Sequence, residues 1–139
     1  MLPAIISSHL LTLWDFVSPR GENVISRWAK DEKLSTKDRA KLNQRLDRLV
    51  QVDFEQAKST KLLNGPLRKE IYKVKVHGQV MMRPLLCRGP FEKEAEYTLL
   101  LGAIEKNWKL EPSTCLEDAD KNRTTLVADK TRREAHVRF

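Results

Sequence analysis

Ile71-Tyr72-Lys73-Val74-Lys75-Val76-His77 decides how this chain is read. Side chains alternate sides along a strand, so Tyr72, Val74 and Val76 share one face while Lys73, Lys75 and His77 share the other. One face packs and the other is cationic. This stretch extends back to Leu67, and two more extended stretches follow, Val80 to Cys87 and Tyr97 to Ile104. The links His77-Gly78-Gln79 and Arg88-Gly89-Pro90 are short and made of turn residues, which predicts consecutive antiparallel pairing. Pro84 cannot donate to a ladder, so it predicts a bulge or a break in pairing.

Upstream, Leu10 to Val17 reads as a strand that stops at Ser18-Pro19-Arg20-Gly21. Asn23 can cap a short helix whose apolar Val24, Ile25 and Trp28 fall at helical spacing, reaching about Asp31. Ser35-Thr36-Lys37-Asp38 has capping-box spacing with Asp in the last place. Leu42, Leu46, Leu49 and Val50 then recur at i, i+4, i+7 and i+8, with Lys41, Arg45, Asp47 and Arg48 between them; this predicts an amphipathic helix to about Ala57. Asn64-Gly65-Pro66 separates it from the strands. Downstream, Thr114-Cys115-Leu116-Glu117 opens a last helix to about Asp129, and Lys130 to Phe139 has the composition of a disordered basic tail.

The expected architecture is α+β: a small antiparallel or mixed sheet of about four strands with helices packed on one face. The opposite face, with Lys73, Lys75 and His77, is left toward solvent. A length of 139 residues suits a single domain, with its core at about residues 10–125. Met1 to Val17 is apolar but lacks the basic start and small-residue cleavage site of a signal peptide, and it is too short to span a bilayer. It reads as an apolar lead-in followed by the first strand.

The net charge of +7 sits in one segment. Lys58 to Lys93 holds nine Lys or Arg and two acids, Glu70 and Glu92, while the rest of the chain is balanced. Like charges gathered together repel without aiding burial, so the segment is a candidate footprint for a polyanion. Cys87 and Cys115 match no metal-ligand spacing and are too few for a secreted disulfide scaffold, which suits a reducing cytoplasm. There is no Gly-rich phosphate loop, zinc-type Cys/His spacing or nucleophile elbow.

The order of elements carries a resemblance, together with Leu62-Leu63-Asn64-Gly65-Pro66-Leu67, Tyr72-Lys73-Val74-Lys75-Val76, Met82-Arg83-Pro84-Leu85-Leu86 and the run from Tyr97 to Lys106. Over roughly residues 10 to 125 the chain resembles the RelE/HigB-like toxins of type II toxin-antitoxin systems, most of all their phage-associated branch. The resemblance implies a microbial RNase-type fold and an endoribonuclease that cuts mRNA on the ribosome without a metal or other cofactor. It implies an antitoxin partner of helix-turn-helix type, operator DNA reached only through that antitoxin, and no membrane. The family's paired strand lysines fall on Lys73 and Lys75, its next-strand arginine on Arg83, and its basic residue after the last strand on Lys106. One departure is plain: the family's C-terminal tyrosine has no counterpart in Lys109-Leu110-Glu111-Pro112-Ser113.

RNA cleavage of this kind needs a base for the 2′-hydroxyl, cations for the phosphoryl oxygens and an acid for the leaving oxygen. Lys73 and Lys75, about 7 Å apart along a strand and beside Arg83, would depress each other's pKa. Lys75 or His77 is then the candidate base, Arg83 the phosphate clamp, and Lys73 and Lys106 electrostatic support. Arg68, Lys69, Arg88 and Lys93 of the basic segment are candidate RNA contacts. Trp14, Trp28 and Trp108 are expected in or beside the core, with Trp108 also a candidate platform for a base. Two other readings stay open: a catalytically weak relative that binds its antitoxin and co-represses their operon, and a ParE-like gyrase inhibitor.

Overall fold

Glu96–Lys106, the longest apolar run, forms the central strand and is buried from Glu96 to Ile104. In the computed structural model, which describes residues 10–139, the elements run β1 (Thr12–Phe16), α1 (Val24–Asp31), α2 (Thr36–Leu49), α3 (Phe54–Ser59), β2 (Asn64–Arg68), β3 (Ile71–Lys73), β4 (Val76–His77), β5 (Met81–Arg88), β6 (Glu96–Lys106), β7 (Lys109–Glu111), α4 (Cys115–Ala128) and β8 (Arg133–Ala135). The lead-in read at Met1 to His9 lies outside the described residues.

The sheet is mixed and has eight strands, in the order β2-β3-β5-β6-β1-β8, with β4 beside β5 and β7 beside β6. β1 runs parallel to β6. The expected meander is its centre: β3, β5 and β6 pair antiparallel in sequence order. The additional strands are short. Leu67 to Val76 is split because Lys69 takes a positive φ of 50° and turns the chain, so that Arg68 pairs with Ile71.

Helices cover both faces of the sheet, which corrects the expectation of one. Tyr72, Val74, Val76, Met82 and Leu86 meet Trp28 of α1 and Leu42, Leu46 and Leu49 of α2. On the other face Ile71, Leu85, Cys87, Leu101 and Ala103 meet Cys115, Ala119 and Leu126 of α4. The cause is visible in Leu85-Leu86-Cys87: successive strand residues point to opposite faces, so consecutive apolar residues oblige both faces to be covered. Opposite them the register shifts, and Leu99 enters the first cluster while Leu100 and Leu101 both enter the second. On the first face α1 approaches very closely, since a Cβ on Gly102 would lie 2.0 Å from the Trp28 indole.

The caps explain the helix boundaries. Asn23 and Ser35 accept from the amides of Ser26 and Asp38 at the starts of α1 and α2. Asp53 accepts from Gln56 N and starts α3 afresh, so the helix expected to reach Ala57 ends at Leu49. Thr114 makes no side-chain cap to the backbone; its hydroxyl donates to Asp118 instead.

Residues 130–139 are not a disordered tail. Arg133–Ala135 pairs antiparallel with β1, and the segment carries partners for two buried acids. Arg133 donates to Glu96 at 2.8 Å, and His136 Nδ1 lies 2.7 Å from Asp15, which also accepts from Val137 N. Glu96 and Asp15 are almost wholly buried; Arg133 supplies the counter-charge to Glu96, while His136 Nδ1 and the Val137 amide are the hydrogen-bond partners of Asp15. No helix among the described residues is long and apolar enough to cross a membrane.

Candidate nucleic-acid interface

The site grows from Pro84. Val74 N donates to Pro84 O at 3.1 Å, but Pro84 has no N–H to return the bond. At that half-made pair the strand divides into β3 and β4, and Lys75 lies in the gap. The register of β3 and β4 on β5, carried through the gap, sets Lys75 opposite Arg83. The alternation read from the sequence holds: Tyr72, Val74 and Val76 are buried, while Lys73 is half-buried and Lys75 and His77 are exposed.

Lys73, Arg83 and Glu105 converge on the face that α4 covers. Arg83 Nε donates to Glu105 Oε1 at 3.0 Å, and Lys73 Nζ lies 3.9 Å from the same oxygen. Arg83 also donates to Met82 O. Burial lowers the Lys73 pKa; Glu105 works against the shift, and the charges of Lys75 and Arg83 add to it. The hydrogen bond from Arg83 holds the Glu105 carboxyl below its usual range. Crowding of cations therefore acts on Lys73, but burial leads.

A second feature lies at the sheet edge. A cleft of about 700 Å³ opens between α2 and β4 and is lined by Lys41, Arg45, Arg48, Lys61, Lys75 and His77. Gln44, Asn64 and Val76 also line it, and among the described residues no carboxylate does. Asp38 fixes its walls: its carboxylate accepts from Gln79 N at 3.0 Å and Val80 N at 3.3 Å, tying the start of α2 to the β4–β5 turn. The Asp of the capping-box pattern thus caps a turn 41 residues away. Gly78 is needed there, because a Cβ would sit 2.1 Å from Asp38 Oδ1. Lys75 joins the two features, since it lines the cleft and its charge acts on Lys73 and Glu105.

The remaining candidates are dispersed. Arg68 and Lys69 pair with Asp120 of α4, and Lys93 pairs with Glu70. Arg88 lies over the Phe54 ring and pairs with Glu94. Lys106 is 3.8 Å from Glu111 across the β6–β7 hairpin. Trp108, at the tip of that hairpin, is 94% exposed and belongs to no core, unlike buried Trp28. The charge concentrated along the sequence is therefore largely neutralised in space, and unpaired charge reappears at the cleft.

Sequence reasoning left out Glu105 as a site residue, and it read Lys41, Arg45 and Arg48 only as the polar face of a helix. Their spacing of i, i+4 and i+7 was a legible signal for one cationic stripe. Among the described residues no three His, Cys, Asp or Glu side chains are grouped as a metal site requires. No protein-family model, curated protein or solved structure matches the chain.

Proposed function

We propose that this chain is the toxin of a type II toxin-antitoxin pair, a cytoplasmic endoribonuclease of RelE/HigB type that cuts ribosome-bound mRNA and arrests translation. The observation that carries the reading is the convergence of Lys73, Lys75 and Arg83 at one end of the sheet, with Lys73 partly desolvated. A lysine with a lowered pKa can accept the 2′-hydroxyl proton, and neighbouring cations can stabilise the phosphoryl charge, so the reaction needs no metal. His77, exposed on β4, is the alternative base, and Lys106 lies on the same end of β6. The antitoxin would cover this basic end, and DNA would be met only through it.

One observation favours a second reading. Arg83 is committed to Glu105, and the family's tyrosine is absent, which suits a catalytically weak relative that binds its antitoxin and co-represses the operon. Induction in a bacterial host with mapping of mRNA 5′ ends separates the two. Growth arrest with codon-phased cuts, abolished by Lys73→Ala with Lys75→Ala, is the expected result. Arrest with DNA damage and intact mRNA would indicate a gyrase inhibitor, and absence of arrest would leave the antitoxin-binding reading.

A further inference from the structure

We propose that the cleft between α2 and β4 binds the phosphodiester backbone of single-stranded RNA, leading the strand toward Lys73 and Arg83. Of the nine basic residues between Lys58 and Lys93, six are ion-paired: Arg68, Lys69, Lys73, Arg83, Arg88 and Lys93. The five Lys and Arg of the cleft form no ion pair among the described residues, although three of them come from a different part of the chain. Most cations of the Lys58 to Lys93 segment are neutralised by the fold, whereas the cleft gathers five cations in one place without an ion pair among the described residues. Such a collection costs self-repulsion unless an anion enters. Arg45, one of the residues lining the cleft, also has its Nε buried without an acceptor, a guanidinium donor left unsatisfied by the protein.

Shape and lining select the ligand. Lys41, Arg45 and Arg48 form one stripe along α2, about 10 Å long at 1.5 Å per residue, and the cationic lining also takes Lys61 from the link between α3 and β2 and Lys75 from the gap between β3 and β4. A polymer with repeated charge matches that spread better than a single small anion. Among the described residues Val76 is the only apolar one in the lining, which offers little to the apolar anchors of a protein segment, whereas a phosphate backbone asks only for cations and polar groups such as Gln44 and Asn64. Single-stranded RNA, in place of another phosphate polymer, is chosen on the proposed function above; the phosphate chemistry stands apart from it.

The test uses the full chain and a fluorescent 2′-O-methyl oligonucleotide of about 12 nucleotides, which cannot be cleaved, so binding is read whether or not the protein is a nuclease. Five engaged cations predict a slope of log K against log salt near −3.5, and Arg45→Glu with Arg48→Glu should flatten it by about 1.4 and weaken binding at least tenfold. Arg20→Glu, exposed in the turn after β1 and outside the cleft lining, should bind within about twofold of the parent. Unchanged binding in the double variant overturns the proposal and leaves the nuclease reading standing; binding through the cleft with no arrest or cuts in the host does the reverse. If polyglutamate binds the cleft and the oligonucleotide does not, the partner is an acidic protein and the proposal fails. Should the double variant lose its fold, NMR titration of the unmodified protein decides: shifts centred on Arg45 Nε–Hε and His77 support the proposal, and shifts elsewhere overturn it.

Discussion

Arg83 is 3% exposed and directs its Nε at Glu105 Oε1 on the adjacent strand, 3.0 Å away. A buried guanidinium without a counter-charge is costly, so this carboxylate is what allows Arg83 to sit inside the sheet. A phosphate engaging Arg83 would have to share it with Glu105 or displace that acid. Removing Glu105 should therefore cost far more than removing both members. Glu105→Ala is expected to destabilise by about 3 kcal/mol, and adding Arg83→Met should recover more than half of that. Urea denaturation of the four proteins in the cycle measures it, and simple additivity would refute the interpretation. The acid side has a definite sign. Because the folded Glu105 pKa is lowered, its contribution is complete above the unfolded carboxyl value of about 4.3 and fades as pH falls through the folded value.

Asp38 and Gly78 make a second coupled pair. Asp38→Ala strands the amides of Gln79 and Val80 and should cost about 1–3 kcal/mol. Gly78→Ala should cost a similar amount in the parent, because its Cβ would collide with Asp38 Oδ1 at 2.1 Å. In the Asp38→Ala background that collision is gone, and the next nearest atom is Met82 Cε at 2.9 Å, the end of a flexible side chain. The second substitution should then be clearly cheaper. Equal costs in both backgrounds would mean that the turn is not held by this carboxylate.

How much of this was legible follows from what each signal depends on. The β3 alternation, the Asn23 and Ser35 caps and the leucine spacing of α2 are local, and they appear where the sequence places them. Burial of both sheet faces was also written locally, in Leu85-Leu86-Cys87, yet it can be read only once the two opposite partners of those residues are known. Charge was misleading for a physical reason: a run of lysines says nothing of Asp120 or Glu105, which are brought to it by tertiary structure. The same reason hid the cleft. Lys41 and Lys75 are 34 positions apart and meet only because Asp38 ties α2 to the β4–β5 turn.

Trp108 offers a test of what the β6–β7 hairpin costs. Asn107 and Trp108 have φ of 50° and 67°, the pattern of a two-residue turn that favours glycine at its second position. A tryptophan there carries backbone strain, and its 94% exposure gives nothing in return through packing. Trp108→Gly should therefore leave stability unchanged or raise it by up to about 1 kcal/mol. A loss above about 1 kcal/mol in thermal denaturation would mean that the side chain is structural. If stability is kept while binding of the uncleavable oligonucleotide weakens, the ring contributes by stacking on a base.

Alkaline stability is set partly by Cys87. Burial pushes its thiol up to about 12, and Tyr97 likewise to about 12. Both groups ionise more readily when unfolded, so the stability that each contributes is complete below its unfolded pKa and is lost as pH rises toward the folded one. For the thiol this window opens at about 8.5 and for the phenol at about 10. Between them the thiol acts without the phenol and should remove about 1.4 kcal/mol per pH unit. Lys73 acts in the opposite sense, because its folded pKa is lowered, but it is common to the parent and to Cys87→Ala and cancels in their difference. Denaturation at intervals from pH 8 to pH 10 should therefore show the parent falling more steeply than Cys87→Ala, whose cavity cost is constant with pH. Parallel curves would mean that the thiol ionises within the folded protein, and rapid alkylation of Cys87 under native conditions would agree with that outcome.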